Sequence, residues 1–114
     1  MIKDNLIYLK HIADAISRIE QYTAGQTEKS FLTNNLIQAG VIRELEIIGE
    51  ASKRLHTFIK EKYSDVPWKQ IAGTRDKLIH NYFGVDLSAV WETIEKDIPF
   101  LKMKISEIIS SNFS

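Results

Sequence analysis

Cysteine is absent from the 114 residues, which excludes a disulfide framework and any metal site built on thiolates. Proline occurs twice and glycine five times, too few for collagen-like repeats. No run approaches the roughly 18 apolar residues of a membrane span. No glycine-rich phosphate loop is present, so any ATP chemistry connected with this chain belongs to another protein. Charge of one sign is also missing. Fifteen basic side chains balance fifteen acidic ones, and the net field that draws a histone-like protein to nucleic acid does not exist here. Polyanion binding would have to be local. The first residues carry Asp4, His11 and Asp14 where a signal peptide needs its apolar region, so the chain is expected to start as a mature, cytoplasmic protein.

What is present is an ordinary globular mixture, 44% apolar and 26% charged, of a length that suits one domain over 1–114. Apolar residues recur at steps of three and four, which predicts an all-α protein. Leu6, Leu9, Ile12, Ile16 and Ile19 form a first stripe, closed by the polar run 23–27 around Gly25. A second long helix is expected from Lys29 to about Lys62, with Leu32, Leu36, Ala39, Ile47, Ala51, Leu55 and Phe58 along it. Gly40 and Gly49 inside it would either bend it or admit a close neighbour. Ser64 or Asp65 can cap a third helix from Pro67 to about Phe83, with Pro67 in its first turn and Gly84 at its stop. Asp86 can cap the last, where Leu87, Trp91, Ile94, Ile98, Leu101, Ile105 and Ile108 keep a heptad-like spacing. Pro99 should kink or split that helix, because its ring crowds the carbonyl of Glu95 and it has no N–H to give. Four main helices with short loops pack most economically as an antiparallel bundle.

The third helix carries the chemistry. On an ideal helix Arg75 falls within the apolar arc of Trp68, Ile71, Ala72, Leu78, Ile79, Tyr82 and Phe83. A guanidinium there needs a carboxylate, a phosphate or a subunit boundary, unless its head simply reaches solvent or an internal acid such as Glu50. His80 lies about 140° around the helix from Arg75, whereas Tyr82 returns to the arginine's side. One straight helix cannot bring all three together. Either its end is distorted near Asn81 and Gly84, or two-fold symmetry supplies a second copy. Cleavage of RNA by its own 2′-hydroxyl needs a base and an acid, and histidine, with a pKa near ~6.5, serves as either. One histidine per chain becomes two per homodimer, and Arg75 would stabilise charge building on the phosphate. An exposed histidine with no catalytic role fits the spacing equally well.

The stretch from Trp68 to Asp86, W-K-Q-I-A-G-T-R-D-K-L-I-H-N-Y-F-G-V-D, resembles the signature of the HepT-like toxins of the HEPN superfamily: Arg, four residues, His, one residue, Tyr. Residues 43–51 (R-E-L-E-I-I-G-E-A) and 85–91 (V-D-L-S-A-V-W) are similar to the flanking parts of that family. The resemblance implies a dimeric helical bundle with metal-independent ribonuclease activity, no cofactor, and Arg75 and His80 of both chains facing one cleft. It also implies an MntA-like nucleotidyltransferase antitoxin that transfers AMP to Tyr82, as in type VII-like toxin–antitoxin systems. The pattern departs at Asp76, where asparagine is common; its carboxylate could orient His80 or bind Arg75. Asn81 and Glu50 complete the candidate supporting polar residues. A rival reading is a non-catalytic companion that binds or scaffolds substrate for a minimal nucleotidyltransferase.

Other residues point to less. His11 and His56 are expected on separate helices, without the His/Asp/Glu clustering a metal site needs. Glu50 projects toward Arg43 and Arg54, which reads as a solvated charge stripe. Lys53, Arg54, Lys69 and Lys77 could line an RNA groove, with no basis for choosing among the basic residues. Trp68 and Trp91 read as core or dimer contacts before base-stacking platforms.

Overall fold

A computed structural model describes residues 2–73 and 86–113. Among them there is no strand, and the fold is all-α, as the periodicity predicts. The elements are α1 (Ile2–Thr23), α2 (Glu28–Leu32), α3 (Asn35–Arg54), α4 (Thr57–Lys62), α5 (described over 68–73), α6 (Leu87–Glu92), a π-helical turn (Thr93–Asp97) and α7 (Ile98–Phe113).

Contacts along α1 fix the directions of its neighbours. Near its start Asn5 meets His56, further on Arg18 meets Glu44, and near its end Tyr22 meets Gly40, so α3 runs antiparallel to it. Glu20 pairs with Lys102, while Ala13 and Ile16 share a groove with Ile109, so α7 is antiparallel to α1 as well. Leu9, Ile12, Ala15, Ile16 and Ile19 of α1 meet Val41, Leu45, Ile48 and Ala51 of α3 and Ile98, Leu101, Ile105 and Ile108 of α7 in one buried cluster.

The expected helix from Lys29 to Lys62 is in fact three. Its first break follows Leu32, where the Asn34 carbonyl oxygen Oδ1 accepts from the Ile37 N–H and starts α3 afresh. The second lies at Leu55 and His56, both extended; His56 Nδ1 accepts from the Phe58 N–H, and its own N–H donates to Asn5 Oδ1 at 2.8 Å. These side-chain caps satisfy groups that a continuous helix would have bonded internally, so interruption costs little. Neither break is at a glycine. Gly40 instead admits a close neighbour: a Cβ there would stand 3.1 Å from the Tyr22 ring. The expected apolar stripe moves accordingly. Leu36 is 84% exposed, and the apolar buried face of α3 is Val41, Ile42, Leu45, Ile48 and Ala51.

Pro99 acts without interrupting the chain of helical turns. The Ile98 N–H reaches back five residues to the Thr93 carbonyl, and this wider turn relieves the crowding that the proline ring would impose at Glu95. Asp86 caps α6 as expected, its Oδ1 accepting from the Ala89 N–H at 3.1 Å. Pro67 precedes α5, whose first helical residue is Trp68, and Asp65 pairs with Lys104 of α7. That bond holds the Asp65 carboxyl below its usual range and the Lys104 ammonium above its own. The link is therefore fully present above the usual carboxylate range and is lost as pH falls through the lowered Asp65 value.

Phe31, on the short α2, is fully buried with its ring 5.3 Å from that of Trp91. Phe31→Ala is expected to destabilise the fold by about 3–5 kcal/mol, since a five-residue helix has few other contacts with which to close the void. Urea unfolding monitored by circular dichroism measures it; a loss below about 1 kcal/mol would mean that α2 is not part of the cooperative unit.

Candidate functional site

Arg75, Asp76, His80, Asn81 and Tyr82 lie outside the described residues, as do Lys77, Gly84 and the remainder of the expected third helix. What the structure gives is the frame on either side of them. Trp68 is buried, and its indole N–H donates to the Tyr63 carbonyl at 3.0 Å, which fastens the start of α5 to the turn after α4. One turn on, the Ile71 N–H bonds the Pro67 carbonyl at 3.0 Å, and its side chain packs on the core. On the far side, the Asp86 cap and buried Val90 and Trp91 hold α6. The tryptophans are thus core residues that anchor the two flanks, as read from their spacing.

Glu50 is half-buried on α3, one turn before Arg54, and its Oε1 accepts from Arg54 Nε at 3.0 Å. This bond, supported by the Tyr8 hydroxyl, keeps the Arg54 guanidinium above its ordinary pKa. Arg43, which the sequence reading set on the same stripe, is exposed on α3 seven residues before Glu50. Next to α5 lies a cleft of about 210 Å³ between α3 and the π-helical turn, lined by apolar side chains such as Ile48, Val66 and Leu101, with Gln70, Thr93 and Asp97 at its polar edge. Among the described residues that line it, the Thr93 hydroxyl is committed to the Ala89 carbonyl at 3.1 Å. Of the described histidines, His11 is exposed on α1 and His56 is engaged in capping α4. Among the described residues no group of three His, Cys, Asp or Glu could hold a metal ion.

One charged pair escaped the sequence reading. Glu44 lies inside the buried stripe of α3, its side chain 5% exposed, and its Oε1 accepts from Arg18 Nε at 2.6 Å, whose side chain is 41% exposed. Arg18 is held above its usual pKa by that bond first. The signal was available: Glu44 stands three residues after Val41 and four before Ile48, an acid within an apolar stripe, the same oddity that singled out Arg75. The pair is asymmetric, which gives a test. Arg18→Ala strands a buried carboxylate and should cost about 3 kcal/mol, whereas Glu44→Met leaves an arginine that can turn to water and should cost well under half as much. Equal losses in thermal or urea unfolding would contradict that account.

Comparison with known proteins decides the family. The model for the family described as "Ribonuclease HepT-like" matches residues 12–108. The chain belongs to the HepT-like ribonuclease family. It is 46% identical over 101 residues to "Probable ribonuclease HepT" of Thermococcus cleftensis, covering 89% of this chain and 92% of that one. It is 45% identical over 102 residues to a candidate RNase of Caldanaerobacter subterraneus subsp. tengcongensis, covering 90% and 91%. A longer protein of Methanocaldococcus jannaschii, named as a gamma-glutamylcyclotransferase and candidate RNase, is 51% identical over 109 residues; the match takes in 96% of this chain and about half, 49%, of that relative. No solved structure matches. The resemblance read from residues 43–51, 68–86 and 85–91 thus agrees with a family match that spans the whole candidate segment, and the all-α bundle is the HEPN-like fold it implied. Among the described residues no helix is long and apolar enough to cross a membrane.

Proposed function

We propose that this chain, acting as one unit over residues 1–114, is the toxin of a type VII-like toxin–antitoxin system: a cytoplasmic endoribonuclease that cuts RNA without a metal ion. The observation that carries this reading is the HepT-like match over residues 12–108, within which Arg75, His80 and Tyr82 stand at the spacing of the family's signature. In the proposed reaction the 2′-hydroxyl attacks the adjacent phosphorus. One histidine of a homodimer takes the hydroxyl proton, the bond from phosphorus to the 5′-oxygen breaks, and the second histidine protonates that oxygen. The products are a 2′,3′-cyclic phosphate and a 5′-hydroxyl. Arg75 stabilises the charge accumulating on the phosphoryl oxygens with its planar donor fork. Asp76, Asn81 and Glu50 are the supporting polar residues, and an MntA-like nucleotidyltransferase restrains the enzyme by transferring AMP to Tyr82.

The test uses the purified chain, labelled RNA and excess chelator. Cleavage should proceed with chelator present, leave cyclic ends, and stop at a site where the 2′-hydroxyl is replaced by hydrogen. Activity that disappears with chelator and returns with magnesium would refute the mechanism, and RNA bound but never cut would favour the non-catalytic companion.

A further inference from the structure

Although the chain is neutral overall, its cations are not distributed evenly. Lys102 faces Glu20, Lys96 faces Glu92, Arg18 faces Glu44, and Lys104 is shared by Asp65 and Glu107. Lys10, Lys29, Arg43 and Lys69 stand exposed and singly on four different elements, whereas between the end of α3 and the end of α4 cations cluster. Residues 53–62 hold four cationic side chains, Lys53, Arg54, Lys60 and Lys62, against one carboxylate, Glu61. Arg54 is bonded to Glu50, but among the described residues Lys53, Lys60 and Lys62 have no carboxylate partner.

The break at His56 that the sequence reading missed is what gathers them. It folds α4 back so that Lys60 Nζ donates to the Lys53 carbonyl at 3.3 Å, a C-terminal carbonyl of α3 that favours a cation. The Lys60 ammonium is thereby held at the end of α3, the turn that also carries Lys53. Lys62 Nζ lies against Asn112 Oδ1 at 3.0 Å and over the Tyr63 ring. Within the same turn two rings face water: Phe58, 45% exposed, and exposed His56, whose centroids are 5.5 Å apart. A large apolar ring left outside the core, on a turn whose lysines meet only neutral oxygens, has the composition of a stacking platform with phosphate contacts.

We propose that the turn joining α3 to α4 is a docking surface for single-stranded RNA, with Phe58 and His56 receiving a base and Lys53, Lys60 and Lys62 the adjacent phosphates. The occupant follows from charge complementarity and from the rings, which a double helix with its bases inside would leave unused. This rests on the ribonuclease reading for the choice of RNA, and it supplies a reason for a neutral protein to hold a polyanion.

Fluorescence anisotropy with a short fluorescein-labelled 2′-O-methyl oligouridylate measures binding without cleavage, because the attacking hydroxyl is blocked. Lys53→Gln with Lys60→Gln should lower the slope of log affinity against log salt by about 1.4, at roughly 0.7 for each single-strand phosphate contact. Phe58→Leu, which keeps apolar bulk without a ring face, should weaken binding about fivefold or more. The pair Lys10→Gln and Lys29→Gln, exposed cations elsewhere on the surface, should bind as the unaltered chain does. Circular dichroism confirms that each variant folds. The surface is overturned if the Lys10 and Lys29 pair loses as much as the Lys53 and Lys60 pair, if Phe58→Leu binds unchanged, or if polyglutamate of the same length competes as well as RNA. Cleavage of ordinary RNA is read in parallel: the expected binding pattern with no cleavage rejects the ribonuclease reading and keeps the surface, while cleavage with binding indifferent to these substitutions does the reverse.

Discussion

His80→Ala should reduce RNA cleavage by about 10⁴-fold or more while leaving the helical fold intact. Acid–base catalysis by one positioned side chain contributes roughly 10²–10⁴ in rate, and with one motif histidine per chain serving as base in one protomer and acid in its partner, a single substitution removes both roles. Arg75→Lys keeps the positive charge but replaces a fixed planar fork with a mobile ammonium, and should cost about 10²-fold, within the range for losing one preorganised donor at a developing charge. The proposed symmetry makes a sharper demand. A mixed dimer of one unaltered and one His80→Ala chain retains a single histidine and should be nearly inactive, so adding the variant chain to the active enzyme and allowing exchange should depress activity more steeply than dilution does. The unaltered enzyme should show a bell-shaped pH profile, rising as the base loses its proton and falling as the acid loses its own. Undiminished cleavage by His80→Ala, or activity in mixtures that tracks only the fraction of unaltered chains, would overturn the two-histidine site.

How far such a site can be read from sequence depends on which physical signal carries it. Helix type and the faces of α1 and α7 were legible because burial imposes a repeat: Leu9, Ile12, Ile16 and Ile19, and Ile94, Ile98, Leu101, Ile105 and Ile108, are buried where the spacing put them. The proline signal at position 99 was legible as a perturbation, though not as the π-helical turn that absorbs it. The interruptions of the second helix were not legible, because they are made by tertiary partners. Asn5 accepts from the His56 N–H across 51 positions of sequence, and no local pattern near His56 announces it. Leu36, two residues after the Asn34 cap, and Phe58, two after His56, are exposed at the two breaks, where a continuous stripe would have buried them. The candidate site came from a different source: the arginine's place in an apolar arc marked it as unusual, and only the full string around Arg75, His80 and Tyr82 pointed to a reaction. Glu44 shows that the first signal alone is ambiguous, since an equally misplaced charge there serves an ion pair between α1 and α3.

Transfer of AMP to Tyr82 should switch the enzyme off. On an ideal helix Tyr82 would return to within about 20° of Arg75, two residues after His80, and its hydroxyl would then reach the rim of the cleft proposed to receive a phosphodiester. An attached AMP brings its own phosphate, which suits the guanidinium and competes with RNA by charge as well as by bulk. Modification should therefore inhibit far more than loss of the hydroxyl does. Tyr82→Phe should keep much of the cleavage activity and escape the partner enzyme, whereas the unaltered chain, incubated with ATP and an MntA-like nucleotidyltransferase, should gain roughly 329 Da per AMP. If the hydroxyl instead serves an internal hydrogen bond, no mass is gained and the phenylalanine variant unfolds more easily, by about 1 kcal/mol. Intact-mass spectrometry beside the cleavage assay separates the two outcomes. Fully modified protein that still cuts RNA at the unmodified rate would remove Tyr82 from the control of this enzyme, and with it the reason to place the tyrosine beside Arg75.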